Sequence, residues 1–222
     1  MEDYFIFHLT DVGGAPTAET LLAECGPQIA QTVRGETTTL SDGEQREVLQ
    51  ASVSCYPTDL AVIGWNAAFI YDTAEGAQAA IQLLEYANSQ LLEFRHYDDL
   101  LTRELQVAYR SLRRGTHILT AWRLVRKANR LQLVSLEVTE LAERADNAIK
   151  FLRDMFSARL YKMAAAKVGV LDYKHLVNRK LRMADELYGF MVDQFQHGRA
   201  FLLESMVVII LVIELIFLFR GK

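Results

Sequence analysis

Cysteine, proline and tryptophan are all scarce in this chain of 222 residues. Its two cysteines, Cys25 and Cys55, form no Cys-x-x-Cys pair. They support neither a disulfide framework nor a zinc site, and they fit a reducing compartment. The last of the three prolines is Pro57, so nothing from Asp72 onward breaks a long helix in the way proline does. No phosphate-binding glycine loop is present, and no serine or cysteine stands in a nucleophile-elbow motif. The N-terminal Met1-Glu2-Asp3-Tyr4 carries no basic leader and no apolar signal region. The large domain is therefore expected to stay in the compartment where it is made.

What remains divides into two textures. Tyr4 to Leu9 is short and aromatic-rich, as a strand would be, and Asp11-Val12-Gly13-Gly14 closes it. A helix is expected over Ala18 to Val33 and a loop over Gly35 to Gly43. Val48 to Tyr56 and Leu60 to Tyr71 read as strands rich in Val, Ile and aromatics, with Pro57 between them. Gly64-Trp65-Asn66 is either a hairpin turn or a bend. After Asp72 the pattern turns helical, with Asp72 and Glu75 at capping-box spacing.

Three long helical segments follow. Ala74 to Arg114 keeps Leu84, Ala87, Leu91, Phe94, Asp98, Leu101, Leu105, Ala108 and Leu112 in steps of three and four, and Gly115 ends it. Thr116 to Lys167 keeps Leu131, Val134, Val138, Leu141, Ala145, Ala148, Leu152 and Met155 in the same rhythm until Gly169. The third starts near Asp172 and keeps Val177, Leu181, Ala184, Tyr188, Met191, Phe195, Gly198 and Leu202 in phase, passing into Ser205, Ile209, Val212 and Ile216. Heptads this long argue for coiled-coil packing, within one chain or between copies.

The third segment ends in an apolar run. Ala200 to Phe219 holds seventeen hydrophobic side chains, interrupted by Glu204, Ser205 and Glu214. At about 1.5 Å per residue it reaches roughly 30 Å, the thickness of a bilayer core. The expectation is a transmembrane helix and a tail-anchored protein with its N-terminal domain in the cytoplasm. Lysine and arginine do not set the orientation, since Lys180, Arg182 and Arg199 precede the run while Arg220 and Lys222 follow it. Carboxylates are costly in lipid, so the competing reading is the buried core of an assembly. Glu214 lies about 9 Å inside the run and should face protein or be protonated.

Ala87-Asn88-Ser89-Gln90-Leu91-Leu92-Glu93-Phe94-Arg95-His96-Tyr97-Asp98-Asp99, Arg179-Lys180-Leu181 and the terminal Leu203-Glu204-Ser205-Met206-Val207-Val208-Ile209-Ile210-Leu211-Val212-Ile213-Glu214 together resemble the required-for-meiotic-nuclear-division (sporulation-induced) family. That family is largely a domain of unknown function, and the likeness covers roughly the last two thirds of the chain. The resemblance implies a C-terminal membrane anchor and a homo-oligomer with no established catalysis. The family's mitochondrial member sits in the inner membrane and supports organellar translation as a tether. With no transit peptide, the resemblance implies a bacterial-type cytoplasmic membrane for this chain.

Charge is unevenly spread. No acidic residue lies between Glu104 and Glu137, yet Arg110, Arg113, Arg114, Arg123, Arg126, Lys127 and Arg130 do. Arg123, Arg126, Lys127 and Arg130 stand at i, i+3, i+4 and i+7, one helical stripe that could hold RNA phosphates or anionic lipid headgroups. The alternative is a solvated face.

Glu93 and His96 make a Glu-x-x-His pair, as in carboxylate-bridged metal bundles, but no second pair exists, and neither a metal nor another cofactor is expected. Asp98 is the polar member of its seam and needs a donor, from Arg95 or from another helix. A register-setting contact is favoured over catalysis there.

The fold expected is α+β: a small strand-containing domain over 1–72, a long three-helix antiparallel coiled-coil bundle over 73–199 and a transmembrane helix over 200–219. The function expected is an oligomeric, non-catalytic membrane scaffold, with Gly198, Glu204, Ser205 and Glu214 at the oligomer or membrane surface. The alternatives are an RNA- or ribosome-binding tether through the basic stripe, and a metal-dependent hydrolase at Glu93, His96 and Asp98. No small-molecule substrate is identifiable.

Overall fold

Two short polar residues start the first two helices. The Thr17 hydroxyl accepts from the Thr20 N–H at 3.2 Å and opens α1 (Ala18–Arg34); Ser41 accepts from the Glu44 N–H at 3.3 Å and opens α2 (Asp42–Gln50). A computed structural model describes residues 3–10, 13–113, 118–149 and 155–220 of the chain. Within them the protein is α+β, with a small N-terminal sheet followed by long helices.

The sheet holds β1 (Phe5–Leu9), β2 (Ser52–Val53), β3 (Leu60–Ile63) and β4 (Ala67–Tyr71) in the order β1-β4-β3-β2. β1 lies parallel to β4, with Phe5 opposite Ala67 and Leu9 opposite Tyr71; the other pairings are antiparallel. Leu60, Val62 and Tyr71 share a core with Leu21, Ile29 and Val33 of α1 and Val48 of α2. The alternate residues Ala61, Ile63, Ala68 and Ile70 are buried as well. Burial on both faces explains why β3 and β4 read as unbroken apolar runs rather than alternating ones.

Gly64-Trp65-Asn66 is the tight connection between β3 and β4, where the Gly64 N–H donates to the Ala67 carbonyl at 2.8 Å. A Cβ on Gly64 would stand 2.6 Å from Val33 Cγ1 and 2.9 Å from the Ala67 oxygen, so the turn excludes any larger residue without a shift. The strand expected over Val48 to Tyr56 is mostly something else. Its first residues finish α2, since Ser41 caps a helix and Asp42 and Glu44 favour its N-terminal end. What stays extended is β2.

α3 (Ala74–Arg113) follows the sheet. Its cap is Thr73, whose hydroxyl accepts from the Gly76 N–H at 3.1 Å, one residue later than the expected Asp72. The single helix expected over Thr116 to Lys167 is described as α4 (Ile118–Ile149) and α5 (Met155–Val168). Residues 114–117 and 150–154 lie outside the described set. Gly169, at φ +91°, separates α5 from α6 (Val170–Arg220).

By contact the chain divides into two units. The first is Met1–Tyr97 with Leu141–Leu176, and in it α5 packs against β2 and β3. The second is Asp98–Glu140 with Val177–Lys222. Its core gathers Leu105 and Ala108 of α3, Ala128 and Leu131 of α4, and Ala184, Leu187 and Met191 of α6.

The expected transmembrane helix over 200–219 is overturned, and with it the tail anchor and the single-pass membrane location. Among the described residues no helix is long and apolar enough to cross a membrane. Described side chains at the end of α6 run from Leu203 to Ile216, fourteen positions that include Glu204, Ser205 and Glu214. A bilayer core needs about twenty, mostly apolar.

Candidate functional site

Several polar residues withdrawn from water in the helices meet partners on neighbouring helices. In the second unit, Lys180 of α6 sets its ammonium 2.5 Å from Asp98 Oδ1 and donates to Thr102 Oγ1 at 2.5 Å and to the Asp98 carbonyl at 3.2 Å. The donor facing Asp98 is thus supplied from another helix. Arg95 belongs to the first unit, where its guanidinium carbon lies 5.1 Å from the centre of the Tyr173 ring.

Two partners escaped the sequence reading. Glu104, buried on α3, pairs with Arg130 of α4 at 2.8 Å. Heptad position could have flagged Glu104, because it falls immediately before Leu105 on the seam. Lys180 was visible only as a charge preceding the apolar run and within Arg179-Lys180-Leu181, and no local spacing distinguishes a lysine that reaches inward from one that stays in water.

Glu104 changes the basic stripe. Arg126 and Arg130 are exposed, but Arg130 carries its own carboxylate partner. The side chains of Arg123 and Lys127 lie outside the described residues, as do the surroundings of Gly198. Glu93, His96 and Asp98 do not make a metal centre: among the described residues no group of three or more His, Cys, Asp or Glu side chains could hold a metal ion.

The end of α6 is the most unusual surface. Leu203, Met206, Val207, Val208, Ile209, Ile210, Leu211, Val212, Ile213, Leu215 and Ile216 are each 47–63% exposed. A helix resting on a core shows one covered stripe in every turn. Here exposure hardly varies around the axis. Glu204 and Glu214 are exposed and Ser205 is half-buried in the same stretch.

This combination defines an α+β protein in which a four-stranded sheet domain precedes long helices bearing an apolar end. Residues 1–78 match the family model described as "Uncharacterized protein MJ0711, N-terminal domain". The uncharacterized protein MJ0711 of Methanocaldococcus jannaschii is 21% identical over 170 residues, covering 77% of this chain and 52% of that protein. The chain therefore spans about half the length of the curated relative it matches. No solved structure matches it.

The resemblance to the required-for-meiotic-nuclear-division family is overturned by these matches, which point to an archaeal uncharacterized protein, the family model over residues 1–78 and the relative over 170 residues. The resemblance rested on the helices and on a Leu-Glu, apolar, Glu ending. Such an ending carries little information, because any long apolar helix flanked by glutamates reproduces it.

Proposed function

We propose that the protein is a non-catalytic scaffold that assembles with copies of itself through the apolar end of α6. One observation carries the reading: eleven aliphatic or thioether side chains from Leu203 to Ile216 are about half exposed on every side of the helix. A helix apolar all round must be enclosed to be stable in water. Stable interfaces bury about 800 Å² per partner, and eleven half-exposed side chains supply a surface of that order. One neighbour covers only one side of a helix, so the assembly has more than two copies. Glu214 then lies where helices from different copies meet and sets their register, as single polar residues do in coiled coils.

The long helices are the arm of this scaffold, and we read α3, α4 and α6 as an antiparallel coiled coil. Glu104 and Arg130 lie at similar distances from the connection at 114–117, which is the pairing expected when two helices fold back on each other. Leu105 and Ala108, Ala128 and Leu131, and Ala184, Leu187 and Met191 repeat at three- and four-residue steps.

Sedimentation of the full-length protein tests this. The wild type should run as a multimer and Ile209→Asp/Val212→Asp as a smaller species with the same helical circular dichroism. A monomeric wild type, or a wild type that leaves solution for phosphatidylcholine vesicles as single copies, overturns the reading.

A further inference from the structure

We infer that the first unit carries a binding site for a medium-chain fatty acid anion, in a cleft between α3, α5 and the first turn of α6. The cleft has a volume of about 350 Å³. Small-molecule pockets start at about 300 Å³ and are mostly apolar with a few placed polar groups. The proposal is independent of self-assembly, since the residues involved all belong to the first unit and the end of α6 to the second.

The chemistry of the lining selects the ligand. Ala158 and Ala165, seven residues apart on one side of α5, leave the room that larger side chains would fill. Phe94 of α3 and Val170 and Leu171 of α6 complete an apolar wall. Gly169 makes that wall possible: its left-handed backbone turns the chain between α5 and α6, so both helices border the same space.

Polar groups inside the cleft are already engaged with each other. The Tyr161 hydroxyl donates to Gln90 Oε1, and Gln90 Nε2 donates to the Tyr86 hydroxyl at 3.1 Å. The Tyr86 and Tyr161 rings lie 5.7 Å apart. Tyr161 and Gln90, the neutral polar residues of the lining, thus already have partners before an alkyl tail enters.

The charged residues of the lining are Lys162, exposed, and Lys174, half-buried; no described lining residue carries a carboxylate. The exposed Lys162 extends the apolar wall with its stem while its ammonium group stays in water. The cleft therefore offers hydrocarbon within and positive charge at its edge. An unbranched tail with one carboxylate head is complementary to both.

Decanoate is the probe, titrated calorimetrically into the full-length protein, with decanol as the tail-matched neutral control. Wild type should bind decanoate saturably, and decanol at least tenfold more weakly. Lys162→Glu should weaken decanoate at least tenfold, and Leu171→Glu, at a position 44% exposed and so tolerant of charge, should abolish binding. Ala165→Trp should fill the cleft with the same result; if it fails to fold, the two exposed variants still decide. Absence of saturable decanoate binding overturns the inference, as does decanol binding equally well. Binding that both glutamate variants leave unchanged would assign decanoate to the apolar end of α6 and overturn it too.

Discussion

Lys180 on α6 holds Asp98 on α3 with 2.5 Å between ammonium and carboxylate oxygen, and the same ammonium reaches Thr102 one turn further along. The side chains are 23% and 18% exposed, so each charge is largely withdrawn from water. Removing one member leaves the other poorly solvated. Asp98→Ala should lower stability by about 1–3 kcal/mol. The double replacement Asp98→Leu/Lys180→Met should recover most of that loss, because it removes both desolvation costs. Urea midpoints of the two variants check the claim, which fails if the double variant is the less stable.

Gly169 sits at φ +91° with open space where a Cβ would go. The penalty for alanine is thus conformational and not steric. Gly169→Ala should cost about 1–2 kcal/mol. Gly169→Asn should cost less, since asparagine tolerates left-handed backbone better. Thermal unfolding of the pair distinguishes this from a packing effect, which would make the larger asparagine the worse.

Burial pushes the Tyr4 phenol well above its ordinary range. Its hydroxyl donates to the Gly64 carbonyl at 3.3 Å, tying the start of β1 to the β3–β4 turn. With the folded value raised, the unfolded chain releases this proton first. The Tyr4 contribution is complete below about pH 10 and is lost as the pH rises beyond it. Between about pH 9 and pH 11, stability of the wild type should fall more steeply than that of Tyr4→Phe. Parallel slopes in urea titrations would remove Tyr4 from the explanation.

Asp59 is buried, and one of its carboxylate oxygens accepts from the Cys55 N–H at 2.7 Å and the Tyr56 N–H at 3.0 Å. Asp59→Ala strands two backbone donors and should cost about 1–3 kcal/mol. Asp59→Asn should lose less, because its amide oxygen can still accept. Hydrogen exchange at Cys55 and Tyr56 is the direct readout, and it should accelerate in Asp59→Ala.

The helices were legible because their signals are local and repeated. Over Ala18–Arg34 and Ala74–Arg113 the apolar spacing recurs through many turns, and Gly169 marks a true break. The α2 helix was misread because it is only nine residues long and polar at its start, so the apolar Val48 looked like the opening of a strand. Asp98 was visible as a polar intruder in a seam, but Lys180 was not assignable as its partner. Which lysine reaches inward depends on how two helices 82 residues apart are set side by side. The cleft was invisible for the same reason, since Ala158 and Ala165 gain meaning only when Phe94 and Leu171 stand opposite.

The parallel ladder between β1 and β4 constrains how the N-terminal domain is completed during synthesis. Synthesised before the other three strands, Phe5–Leu9 waits for a partner that ends at Tyr71, while the antiparallel meander of β2, β3 and β4 joins residues close in sequence. Closing the longer loop costs more entropy, so the meander forms first and the opening strand docks last. Until Tyr71 has emerged, the backbone of Phe5–Leu9 lacks the strand it pairs with, and nascent chains halted before that point are the ones a holdase chaperone should retain.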